Sequence, residues 1–393
     1  MLLAPGDYDD LELREFSYDR PVVLRAADRD NQPVFRKLVV KDSRHLTFDG
    51  LKFFRGKVVS SPKYHAFVDI YPSEHLTFIH CRIEGAIGGE GAPNPGFATG
   101  HGFKIRDDVS DLTIQRCFFT TIRKAISAEE VARVQVIENW IYRHREDGIH
   151  IGGADLLIAD NMIVHNRPFL LPRGKGDHTD AMALHGIRQT TIRNNFIYGN
   201  CQGIFGNGVD KNWGGDAVPG ELTVTNNIVS VSFRNALYIR DTPNSRFTHN
   251  TVLEPLDDDK VPSIIEAPGS SGGTVLAHNL ADRVNVRNGV AAENNAVVQN
   301  KNPGASDHYN RVLADALPRD DRVSISGFSL KPGVFEDRDP RPGADTDAFF
   351  WLNVGDLSSP GHPAHPFWQL LEPAEREALR ALMNPSARSD EPS

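Results

Sequence analysis

The chain has 393 residues, 39% hydrophobic and 24% charged, enough for one large soluble core and without an apolar run long enough for a membrane helix. Lys and Arg number 43 against 52 Asp and Glu, and the resulting net charge of −9 argues against nucleic acid as the partner. The cysteines Cys81, Cys117 and Cys201 form no CxxC spacing and indicate neither a disulfide framework nor a zinc site, and "MLLAPGDYDD" at the start lacks the pattern of a secretion signal.

In chain order, the segments "FDGLKF", "FIHCRI", "IQRCFF", "IENWIY", "IADNMI", "IRNNFI", "VTNNIV", "FTHNTV" and "LAHNLA" repeat one pattern. Aligned, they put Gly50, Cys81, Cys117, Asn139, Asn161, Asn195, Asn227, Asn250 and Asn279 in one column. The shortest interval is 22 residues, and longer ones carry inserted loops. Each unit contains short runs of period-two alternation separated by polar turns, a strand signal. Coils of this length, stacked at about 4.8 Å per strand, predict an all-β, single-stranded parallel β-helix over residues 1–300, with the Asn column as an inward ladder.

One strand is followed through successive coils as "HGFKIR", "KAISAE", "DGIHIG", "DAMALH", "QGIFGN" and "NALYIR", starting at His101, Lys124, Asp147, Asp180, Gln202 and Asn235. Its third and fifth positions are apolar or small and are read as inward: Phe103/Ile105, Ile126/Ala128, Ile149/Ile151, Met182/Leu184, Ile204/Gly206 and Leu237/Ile239. Lys104, Arg106, Ser127, Glu129, His150, His185, Phe205, Asn207, Tyr238 and Arg240 then point outward on one face. The longer intervals place loops at 85–99, 167–179 and 206–221 beside that face, walls for a groove that suits a chain-like ligand. Phe169, Phe205 and Trp213 offer sugar-stacking surfaces there.

Residues 302–349 are rich in Pro, Gly and Asp and read as loop. "HPFWQLLEPAEREALRALM" has helical spacing and predicts a short helix near 367–383, a cap on the last coil or, alternatively, a trimerisation element. Residues 301–393 thus form a C-terminal extension.

The opening "LAPGDYDDL", the following "VVLRAAD" and the repeated units resemble the right-handed parallel β-helix (pectin-lyase-like) superfamily of polysaccharide lyases, pectinase-like glycoside hydrolases and phage tail spikes. The resemblance covers about residues 1–300 and implies the fold. The chemistry has to be read from the site.

Asp147 and Asp180 open adjacent coils, and "DGIHI" with "TDAMAL" partly resembles the pectinase-type Asp pattern. Thr179 replaces one Asp of that pattern and Gln202 its His, and adjacent coils set the carboxyls closer than the 6.5–9.5 Å of an inverting pair. The two Asp, with Glu129, or the Asp177–Asp180 segment, would alternatively suit Ca²⁺; no other cofactor is indicated. β-Elimination of a uronate uses the face better. Lys104, Arg106 or Arg240 would neutralise the carboxylate, His150 or His185 would take the C5 proton, and Tyr238 would protonate the leaving oxygen.

Arg106, Glu129, Phe205, Asn207 and Trp213 complete the expected binding surface. The expected partner is an acidic polysaccharide, with no nucleic acid or membrane, and the chain is expected to be a monomer rather than a trimer, in an extracellular or periplasmic setting. A polysaccharide lyase leads, a hydrolase using Asp147 and Asp180 follows, and a non-catalytic glycan-binding spike or adhesin of a phage-like particle is third.

Overall fold

Alternating apolar runs become strands, and the polar residues between them become corners, so each coil turns through three short strands. In the computed structural model, the described residues are 1–55, 65–89, 96–106, 108–166, 177, 179–208, 220–231, 235–254, 264–270, 272–287, 289–314 and 325–352. The helix expected near 367–383, Phe169 and Trp213 lie outside them.

One coil illustrates the rest: His101–Ile105 belongs to a first sheet, Val109–Gln115 to a second and Phe118–Thr120 to a third. The next coil repeats them in parallel, with Phe103 against Ile126, Leu112 against Val134 and Phe118 against Trp140. The molecule is therefore a parallel β-helix whose interior is one continuous apolar column, including Phe48, Phe78, Phe103, Ile126, Ile149 and Leu237. In the first sheet the inward pairs coincide with those expected, with Ile126, Ile149, Met182, Ile204 and Leu237 stacked on one another.

At the corner between the second and third sheets, Gly50, His80, Arg116, Glu138, Asp160, Asn194, Asn226, His249, His278 and Asn294 all have left-handed backbones, with φ of 49–72°. The residue after each of them points inward. Asn161 shows the ladder bond: its N and Nδ2 donate to Asn195 Oδ1 at 3.1 and 3.0 Å, and Nδ2 also donates to the carbonyl of Val136 at 2.8 Å. The same bonds run from Asn139 through Asn227, Asn250 and Asn279. They stabilise a turn that non-glycine residues otherwise adopt at a cost of about 1–2 kcal/mol each.

Two corrections to the column follow. Lys52 pairs with Arg82, so Leu51, and not Gly50, stands in line with Cys81, and Gly50 belongs to the left-handed corner. The ladder also continues one coil further, to Asn295, whose Oδ1 accepts from Asn279 Nδ2 at 2.9 Å.

The third sheet is apolar on its outer side as well. Trp140, Tyr142, Met162, Phe196, Tyr198, Ile228, Leu253 and Leu280 are buried there beneath Tyr309, Val312, Leu313, Phe328 and Phe349 of the extension. The described part of the extension is largely loop, as expected, with short helical turns at Tyr309–Val312, Ile325–Phe328 and Thr346–Leu352. It runs back along the side of the solenoid and covers that outer apolar stripe. Its path is fastened to the corner column: Asn294 Nδ2 donates to the carbonyl of Pro340 at 2.9 Å, Gly343 N to the carbonyl of His278 at 2.7 Å, and Asp345 N to Asn226 Oδ1 at 2.5 Å. Glycine is needed at position 343, where φ is 93° and a Cβ would lie 3.1 Å from Thr251 Oγ1.

Candidate active site

The first sheet begins at a tight corner, and its first two positions explain the site. The second position reads Gly102, Ala125, Gly148, Ala181, Gly203 and Ala236 down the coils. A Cβ on Gly148 would lie 2.7 Å from the carbonyl oxygen of Ala181, so only glycine lets the coils approach there. That close approach brings the first-position side chains together. Lys124 Nζ lies 2.6 Å from Asp147 Oδ2, and Asp180 N donates to Asp147 Oδ1 at 3.4 Å.

His150 joins this corner from the outward fourth position. Its Nδ1 is 2.9 Å from Asp147 Oδ2 and 3.2 Å from Lys124 Nζ. The side chains of Lys124 and His150 are each 15% exposed, and that of Asp147 2%. Burial pushes the Asp147 carboxyl up, but the bond to His150 and the charge of Lys124 outweigh it and hold the group well below the usual carboxylate range. An ionised Asp147 accepts the Nδ1 proton of His150, which places the ring's basic lone pair on Nε2. On the next coil the His185 ring lies 4.8 Å from that of His150, tilted by 34°. Lys124 escaped the sequence reading, although its charge, opposite to that of Asp147 at the same position one coil earlier, was a visible signal.

The remaining expected residues divide. Lys104 and Arg240 are on the same face, two coils before His150 and two after His185, and Arg240 is 53% exposed beside Asp241. Arg106 uses both arms of its guanidinium on Asp69, at 3.0 and 3.1 Å, so the fork expected to take a substrate carboxylate is already engaged. Tyr238 is three coils beyond His150, by way of Ala183 and Phe205, about 14 Å along the axis at about 4.8 Å per strand. That distance corrects its pairing with His150 as acid and base of one bond. Tyr238 stacks on Phe205 instead, centroids 5.3 Å apart and planes within 7°, so the two rings cover each other's facing sides and Phe205 is not an open stacking platform toward Tyr238. Asn207 ends the strand between His185 and Arg240, half-buried. Glu129 is exposed at a bulge where the pairing shifts between Ala128 and Val131.

The Ca²⁺ expectation meets the same geometry. The Lys124 ammonium is where a cation on Asp147 would be, and Asp177 pairs with Arg145 Nε at 2.9 Å. Among the described residues, the group of three His and carboxylate side chains close enough together to share an ion is Glu74, His75 and Asp111, on another corner, and Asp111 there accepts two bonds of 2.7 Å from Arg133. The partners of Asp147 among the described residues do not fit a metal at its carboxylate.

The corner holds more buried charge. Arg123 Nε donates to Glu146 Oε1 at 2.7 Å, and Arg145 donates to the carbonyl of Ala98 at 2.9 Å and to Glu146 at 3.3 Å. Burial, with Arg123, Lys124 and Lys104 nearby, pushes the imidazole of His101 down to about 3, and burial pushes that of His144 down to about 4.

This solenoid, with its charged corner on one sheet, matches the model of the right handed beta helix region over residues 37–255, and the chain belongs to that family. No curated protein matches the sequence. Among solved structures the chain is similar to the pectate lyase Pel9A, at 12% identity over 84% of this chain and 80% of that one, with a TM-score of 0.44. It is similar to a PL6 family polysaccharide lyase from Pseudopedobacter saltans, at 13% identity over 85% and 94%, with a TM-score of 0.41. A mannuronic acid specific family 6 lyase from human gut microbiota follows at 14% identity over 76% and 77%, with a TM-score of 0.37. At these values the likeness carries no inference about substrate or mechanism.

Proposed function

We propose that the chain binds an acidic, uronic-acid-containing polysaccharide along its first sheet and cleaves it by β-elimination. The observation that carries this reading is the placement of His150, held by Asp147, itself paired with Lys124, with its ring 4.8 Å from that of His185. His150 Nε2 takes the C5 proton, the electron pair forms the C4–C5 double bond, the C4–O bond breaks, and His185 delivers a proton to the leaving oxygen. Lys124 lies 3.2 Å from the His150 ring, while Lys104 and Arg240, on the same face, grip flanking uronates along the first sheet. A polymer of this kind is met outside the cytoplasm, in an extracellular or periplasmic setting.

The hydrolase reading is less well supported, because the side chain of Asp147 is 2% exposed and already bound by Lys124 and His150. The test is a panel of uronic-acid polysaccharides with the purified chain. Rising ultraviolet absorbance from an unsaturated end supports elimination. New reducing ends without it would give the hydrolase reading, and binding without new ends would give the spike or adhesin.

A further inference from the structure

A buried ionic quartet lies at the corner where the coils turn into the first sheet. Arg123 immediately precedes Lys124, Glu146 immediately precedes Asp147, and Asp177 lies three residues before Asp180. The fourth member, Arg145, reaches two other segments and its own neighbour: Nε forms an ion pair with Asp177 Oδ2 at 2.9 Å, Nη1 donates to the carbonyl of Ala98 at 2.9 Å, and Nη2 donates to Oε1 of the adjacent Glu146 at 3.3 Å. Glu146 also accepts from Arg123 Nε and Nη2, at 2.7 and 2.5 Å. None of the four side chains is more than 9% exposed.

We propose that this quartet, centred on Arg145, is the positioning network of the site, a reading that rests on His150 being the group that does the chemistry. The quartet fixes the corner from which Asp147, paired with Lys124, reaches His150, and it ties Ala98 and Asp177 to the same coil. Within the quartet two guanidinium groups face two carboxylates, so each of these buried charges has an opposite beside it. An apolar corner of equal volume would fill the space but would not fix direction, which the planar guanidinium does. Glu146 and Asp147 are consecutive, so a backbone rotation that releases Glu146 also turns Asp147 away from His150.

The test uses Asp177→Asn and Glu146→Gln, which keep shape and lose charge, in the full chain with isotope-labelled histidine. Melting is followed by circular dichroism, the His150 ring by its nitrogen resonances across pH, and turnover on whichever polymer the unaltered chain cleaves. The expected result is folded variants whose His150 tautomer balance or titration midpoint moves and whose kcat falls at least 10-fold with a smaller change in KM. Should either variant fail to fold, Asp177→Glu takes its place, with the same ring shift expected in smaller measure. Unchanged His150 resonances in folded variants would overturn the proposal. The ring measurement needs no substrate, so a chain that cleaves nothing in the panel sinks the functional reading while the network is still tested.

Discussion

Asp147 and His150 are three residues apart, yet carboxylate Oδ2 and imidazole Nδ1 meet at 2.9 Å. Along an extended strand, three residues would separate them by about 10 Å on opposite faces. They meet because the strand starts only at Ile149 and the chain bends at Gly148 before it. A carboxylate that fixes a ring proton in this way defines which nitrogen is basic.

Asp147→Asn is therefore expected to lower kcat by about 10²–10⁴-fold, as it does where an Asp orients a catalytic His. Initial rates of absorbance increase measure it. Activity equal to that of the unaltered chain would remove Asp147 from the mechanism.

The two sides of the first sheet respond differently to substitution. Ile149 is fully buried, and Ile149→Asp is expected to abolish the folded state, while His150→Ala, which leaves the buried Asp147 to Lys124 alone, costs only about 1–3 kcal/mol and lowers turnover by about 10²-fold or more. Melting curves beside rates check both, and reversed outcomes would mean that the faces are inverted.

Acid sensitivity is expected from the buried histidines. His144 is held down to about 4 by burial, against about 6.5 in the unfolded chain. Between these values the unfolded state binds a proton that the folded state does not. The contribution is thus fully present above about pH 6.5 and is lost as pH falls toward 4. His101, pushed down to about 3, extends the loss further. Urea midpoints from pH 4 to 7.5 should fall less steeply in His144→Leu; an unchanged slope would count against this assignment.

The ladder and its corner make opposite demands. Asn195→Ala removes the acceptor of Asn161 N and Nδ2 and should cost about 2–4 kcal/mol. Asn194→Gly, at φ 55°, should cost less than about 1 kcal/mol because glycine adopts that conformation freely. Chemical denaturation of the two variants compares them directly.

The extension gives a fifth test. The buried Tyr309 hydroxyl donates to Asp282 Oδ1 and accepts from Glu254 N at 3.2 Å. Tyr309→Phe should destabilise the chain by about 1–3 kcal/mol and expose the segment around Tyr309–Val312 to protease. Equal cleavage rates would show that the hydroxyl does not anchor it.

The sequence by itself determined the coil, the ladder and the pairing of the first sheet, because each rests on local rules. Alternation marks which side chains go inward, and an Asn repeated every coil has only its neighbours in the column to bond. That is why the alignment of Phe103, Ile126, Ile149, Met182, Ile204 and Leu237 could be read residue by residue. Only the tertiary structure decided which outward groups meet. Lys124 bonds Asp147 across 23 residues, and Arg145 bonds Ala98 across 47, through coils of unequal length whose corners no periodicity specifies. The same holds for the outer stripe of the third sheet: Trp140, Met162 and Phe196 look in sequence like more of the interior, and their cover comes from residues more than a hundred positions away, since apolar surface is buried by whatever the folded chain brings to it.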